Sequence, residues 1–107
     1  ADDAPVPAAE RRRLAGQALD ELLGSLKQDF DAVLLVFHPT SGELDDPASP
    51  GELAVAAFAS RHEIGFLSMR PHYLAEVARD MPVHADGLHL NRHGAELVAR
   101  VLAGRLQ

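Results

Sequence analysis

An α/β fold, with a parallel sheet sandwiched between helices in three layers, follows from three features of this sequence. Apolar residues recur at helical spacing near both ends of the chain, so each end supplies an amphipathic helix with one face to bury. Between them lie two short stretches, residues 32–37 and 64–68, that are largely apolar and carry branched or aromatic side chains. Strands that are apolar on both faces are buried on both faces, which is how strands of a parallel sheet read. Helix and strand alternate along the chain, and that order predicts right-handed crossovers and parallel pairing.

Taken in order, residues 1–8 hold two prolines, two aspartates and small side chains, a composition expected to form a mobile lead-in to one domain over 9–107. Over residues 10–27, Leu14, Ala18, Leu22, Leu23 and Leu26 fall on one face of a predicted helix that covers one side of the sheet. Ala32-Val33-Leu34-Leu35-Val36-Phe37 is the first strand, ended by His38-Pro39. Residues 39–49 form a polar loop at that strand's carboxyl end, where open α/β sheets bind ligands, so the loop reads either as a substrate loop or as a solvated connection.

Ser49-Pro50-Gly51-Glu52 is a helix-start signature: Ser49 as cap, Pro50 in the first helical position, Glu52 closing a capping box. That helix is expected to run to about His62. Ile64-Gly65-Phe66-Leu67-Ser68 is the second strand, Arg70-Pro71 opens a helical segment to about Arg79, and Met81-Pro82 ends it. Asn91 is placed to cap the last helix, whose apolar positions are Leu97, Val98, Val101, Leu102 and Leu106. Two strands alone leave open sheet edges. The chain is therefore expected to be a portion of a larger α/β domain, or to pair its edge with another chain.

Composition narrows the function classes. A length of 107 residues allows one domain, near the size at which a single core suffices. The balance of 47% apolar and 24% charged residues, with no long uninterrupted apolar run, indicates a globular chain without a membrane span. A net charge of −6 argues against nucleic acid, which requires clustered cations. The one basic cluster, Arg11-Arg12-Arg13, follows Glu10 and reads as a solvated helix start. The absence of cysteine removes disulfides, thiol catalysis and thiolate-bound zinc. The acidic first residues lack the apolar core of a signal peptide.

The chemistry concentrates in Val83-His84-Ala85-Asp86-Gly87-Leu88-His89-Leu90-Asn91. A carboxylate three residues before a histidine, on a loop mounted on a helix, can fix the imidazole's tautomer and stabilise the imidazolium formed when it accepts a proton. Gly87 is expected to let the backbone turn between them. The alternative is a structural turn in which Asp86 caps backbone N–H groups and His89 fills a surface groove. His84, Asp86, His89 and His93 also invite a metal site, but His89 precedes the predicted cap. The helical spacing that would bring His89 and His93 together is therefore not expected, and His93 reads as a first-turn residue.

The run Asp86-Gly87-Leu88-His89-Leu90-Asn91, with Gly94 following, resembles the last conserved block of the SGNH (GDSL-type) hydrolases. These are esterases and acyl hydrolases with a flavodoxin-like three-layer α/β/α fold. The resemblance implies a Ser-His-Asp triad in which Asp86 and His89 are the acid and base, without a metal or organic cofactor. It implies a small acyl ester as substrate, such as an O-acylated carbohydrate. The family's opening Gly-Asp-Ser block and its later oxyanion-hole Gly and Asn are absent. Ser41 is the best internal serine, yet it lacks a nucleophile elbow and reads as a turn residue. The chain is thus expected to hold half of a site, the rest coming from a missing N-terminal part of the domain. The rival expectation is a non-catalytic half-domain that docks a partner chain at its sheet edge.

Overall fold

The computed structural model describes residues 5–47 and 49–106. In chain order the elements are α1 (Ala8–Asp29), β1 (Leu34–Phe37), α2 (Pro50–Arg61), β2 (Gly65–Ser68), α3 (Arg70–Val77) and α4 (Arg92–Arg105). Each lies where the sequence signals place it, within a few residues. Of the expected lead-in, residues 1–4 fall outside the described residues, and Ala8 already belongs to α1.

The strands pair in parallel, with Leu34 opposite Gly65, Leu35 opposite Phe66, Val36 opposite Leu67 and Phe37 opposite Ser68. Alternation then divides the side chains. Leu35 and Phe66 pack with Leu23 of α1, Ala59 of α2 and Ile64, whereas Val36 and Leu67 pack with Met69, Tyr73 of α3, Val83 and Leu97 of α4. The chain is a small mixed α/β fold whose two apolar clusters use opposite side-chain sets of one two-stranded sheet.

Full burial of the first strand is not what the structure shows. All four residues of β1 are half-buried, because β1 has β2 as its one sheet neighbour among the described residues. The face predicted for the first helix is also only partly used: Leu23 is buried, but Leu14 and Leu22 are exposed. The reason is one of dimension. A helix of 22 residues is about 33 Å long, while two strands span only about 10 Å across, so α1 overhangs the sheet. Its attachment is partly polar. Asp20 accepts from Arg61 at 2.7 Å and from His62 Nε2 at 2.8 Å, and Lys27 Nζ donates to the Glu63 carbonyl at 2.7 Å.

The start of α2 departs from the capping box in its side chains. Ser49 is the cap residue and its carbonyl accepts from Leu53, yet its hydroxyl donates to Glu43 Oε2 at 2.9 Å rather than accepting from the helix. Glu52 turns to the end of β2, accepting from the Ser68 hydroxyl and from Arg70 Nε at 3.1 Å. Arg70 is buried, and its Nη1 donates to the carbonyls of Glu43 and Leu44, both at 2.6 Å. A buried guanidinium needs a carboxylate and oxygen acceptors to offset desolvation. Here that requirement binds the 39–49 loop to the carboxyl ends of both strands.

Candidate active site

Residues 83–91 fold into a narrow hairpin at the mouth of α4. Ala85 N–H donates to the His89 carbonyl at 2.8 Å, Asn91 N–H donates to the Val83 carbonyl at 2.9 Å, and His84 and Leu90 form an antiparallel bridge. Asn91 fastens its base to the helix. Its Oδ1 accepts from Gly94 N–H at 2.8 Å, as an N-cap should, and its Nδ2 donates to the Pro82 carbonyl at 2.7 Å. Val83, fully buried, anchors the incoming arm.

The tip carries Asp86 and His89. Asp86 Oδ1 accepts from the backbone N–H groups of Leu88 at 2.8 Å and His89 at 2.7 Å. The imidazole Nδ1 lies 2.9 Å from Asp86 Oδ2 and 3.0 Å from Oδ1. The backbone N–H of His89, then that of Leu88, then the imidazole itself draw the Asp86 carboxyl down to about 2, so it is ionised at neutral pH. A carboxylate can only accept, so Nδ1 carries a proton, and in the neutral ring Nε2 is the nitrogen with the lone pair. One carboxylate thus caps the turn and orients the ring.

The pair is open to solvent. The side chains of His89 and Asp86 are 76% and 58% exposed, so the ring stands on open surface rather than facing a cleft. Gly87 likewise does not carry the turn by a left-handed backbone, because no described glycine has positive φ. The indispensable glycine is Gly94. A Cβ there would sit 2.3 Å from the Val83 carbonyl oxygen, inside any allowed contact.

The neighbouring loop is stapled to this hairpin. Ser41 N–H donates to the Gly87 carbonyl at 3.1 Å, with the Ser41 hydroxyl 3.4 Å from the same oxygen, and His84 Nε2 donates to the Pro39 carbonyl at 3.0 Å. Ser41 is therefore brought to the hairpin tip, as a turn residue bonded to backbone. His93 goes elsewhere, its Nε2 lying 3.6 Å from the buried Glu76 carboxylate, which also pairs with Arg79. Among the described residues no three His, Cys, Asp or Glu side chains are grouped to hold a metal ion.

No spacing in the sequence links His38 to Tyr73. Tyr73 is fully buried on α3, its hydroxyl 2.6 Å from His38 Nδ1 and its ring edge-on to His84 at 5.7 Å. The only local signal was a tyrosine among helical apolar positions. Its partners lie 35 residues back and 11 ahead, beyond the reach of any spacing rule.

No described helix is long and apolar enough to cross a membrane. Comparison of the chain with protein-family models, with curated proteins and with solved structures finds no match.

Proposed function

We propose that this chain supplies the base and its orienting acid to an SGNH-type ester hydrolase with a three-layer α/β/α domain. The single observation that carries the reading is the Asp86–His89 pair: an ionised carboxylate holding Nδ1–H of an imidazole whose Nε2 has no partner among the described residues, on a hairpin locked to α4. In this reading His89 Nε2 takes the proton of a serine hydroxyl as the serine attacks an acyl carbonyl. Asp86 stabilises the resulting imidazolium, and His89 returns the proton to the leaving alcohol. A water, deprotonated in turn by His89, releases the acid and restores the serine.

The nucleophile and oxyanion donors come from outside these 107 residues. The support is the exposure of His89 and the bonding of Ser41 to a backbone carbonyl, so that among the described residues the pair has neither a facing wall nor a committed serine. The three-layer arrangement rests on the two apolar clusters, which use alternate residues of each strand. The substrate is a small acyl ester, with O-acylated carbohydrate as the leading class. A second reading, a half-domain that docks a partner at its sheet edge, is favoured by the half-buried apolar strand β1.

Hydrolysis of p-nitrophenyl acetate by the 107-residue chain and by the longer polypeptide that contains it, each with His89→Ala and Ser41→Ala, tests both. The short chain should stay near background. The longer polypeptide should lose roughly 10⁴-fold or more in kcat with His89→Ala and be indifferent to Ser41→Ala. A longer polypeptide indifferent to His89→Ala would leave the docking half-domain as the better account.

A further inference from the structure

His38 stands at the carboxyl end of β1, one residue before the backbone carbonyl that accepts from His84 and three before the N–H that donates to Gly87. Both staples belong to the hairpin that carries His89, so His38 is held at the same end of the sheet as the Asp86–His89 pair. Its tautomer is fixed by burial on one side only. Tyr73 is fully buried, and its hydroxyl proton has one acceptor among the described residues, His38 Nδ1 at 2.6 Å. A buried hydroxyl must give its proton to whatever acceptor it has, so Nδ1 is the acceptor and the neutral imidazole carries its hydrogen on Nε2.

Two electrostatic effects hold this arrangement. Burial pushes the Tyr73 phenol up to about 12, which keeps its proton in place, and burial lowers His38, which keeps the imidazole neutral. The residue as a whole remains exposed, and no described group bonds its Nε2. The two histidines are thus opposite in kind. His89 offers a lone pair beside a carboxylate, and His38 offers a neutral N–H donor backed by a phenol.

The loop that follows His38 decides what such a donor can serve. Residues 39–47 include Glu43, Asp45 and Asp46 and no cation. Glu43 is held ionised by the Thr40 N–H and the Ser49 hydroxyl. An anionic substrate would meet like charge there, whereas an uncharged oxygen would not.

We propose that His38 is a substrate-binding residue whose Nε2–H donates to a hydroxyl or ester oxygen on the alcohol side of an uncharged, hydroxyl-bearing acyl ester. The inference rests on the reading of Asp86 and His89 as a hydrolase pair and adds the donor that selects the alcohol. Tyr73 acts through it, as a positioning residue.

The test uses the intact polypeptide containing these residues, with 6-O-acetylglucose and p-nitrophenyl acetate as substrates and His38→Ala, His38→Gln, Tyr73→Phe and His89→Ala as variants. His38→Ala should lower the ratio of kcat/KM for acetylglucose over that for p-nitrophenyl acetate by roughly 3- to 10-fold, mainly through KM. His38→Gln, which retains an N–H, should recover part of that loss. Ring ¹⁵N shifts should show His38 as the Nε2–H tautomer at neutral pH, and Tyr73→Phe should turn it into a mixture. An unchanged substrate ratio in His38→Ala with His89→Ala inactive, or an Nδ1–H tautomer in the unmodified protein, overturns the role of His38 and leaves the hydrolase pair standing. Hydrolysis of both esters that is indifferent to His89→Ala overturns the two together.

Discussion

At the scale of single residues, the hairpin depends on one missing methyl group and one depressed carboxyl. Gly94 occupies the first turn of α4, where alanine would ordinarily gain up to about 1 kcal/mol in helix propensity. Contact at 2.3 Å with the Val83 carbonyl oxygen, a backbone atom that also accepts from Asn91, outweighs that gain. Gly94→Ala should therefore lose about 1–2 kcal/mol net in urea unfolding, since overpacking of this kind costs about 1–3 kcal/mol. Asp86 sets a pH limit of a different sort. Its folded-state carboxyl lies near 2 against an ordinary 3.8, so the order it imposes on the tip is fully present above that ordinary value. It is lost as pH falls through about 2. The Asp86 side-chain carboxyl ¹³C shift should titrate with a midpoint near 2, and the amide signals of Leu88 and His89 should move with it.

At the scale of elements, the helix ends show a shared strain. Glu63, just past α2, and Asp80, just past α3, have φ of 55° and 60°, the left-handed region that favours glycine. In both cases a backbone bond closes the last turn: Ile64 N–H to the Ala59 carbonyl at 2.9 Å, and Met81 N–H to the Glu76 carbonyl at 2.9 Å. The left-handed conformation costs a side-chain-bearing residue about 1–2 kcal/mol, of which glycine's greater chain entropy returns roughly half. Glu63→Gly should thus stabilise the protein by about 0.5–1 kcal/mol in a thermal or urea melt. The Lys27 bond to residue 63 survives the change, because it uses the backbone carbonyl.

At the scale of the whole molecule, the chain is more open than its size requires. A compact 11.5 kDa monomer has an accessible surface of about 5,800 Å² and a radius of gyration near 13 Å. This one exposes 7334 Å² with a radius of 16.2 Å. The excess is consistent with its architecture: α1 overhangs a sheet of two half-buried strands, with Leu14 and Leu22 left exposed. Small-angle scattering of the monomeric 107-residue chain should give a radius near 16 Å. A value near 13 Å would mean that α1 folds back over the sheet, and the case for a missing part of the domain would weaken.

The sequence by itself determined what neighbouring residues decide together. Helical spacing placed α1 and α4, the start signals at Ser49-Pro50 and Arg70-Pro71 placed α2 and α3, two apolar runs placed both strands, and Asn91 announced the cap it makes. The Asp86–His89 bond was legible for the same reason, because only Gly87 and Leu88 separate the two residues in the chain. What only the tertiary structure decided are contacts between residues far apart in the chain. Ser49 and Glu52 read as a capping box but serve Glu43, Ser68 and Arg70 instead; for Glu52 the reason is that a buried guanidinium requires a carboxylate. Tyr73 meets His38 across 35 residues and Ser41 meets Gly87 across 46, separations over which sequence spacing carries no geometric information. Exposure of the His89 ring belongs to the same class: burial is a property of everything packed around a residue, and the residues beside His89 in the chain do not fix it.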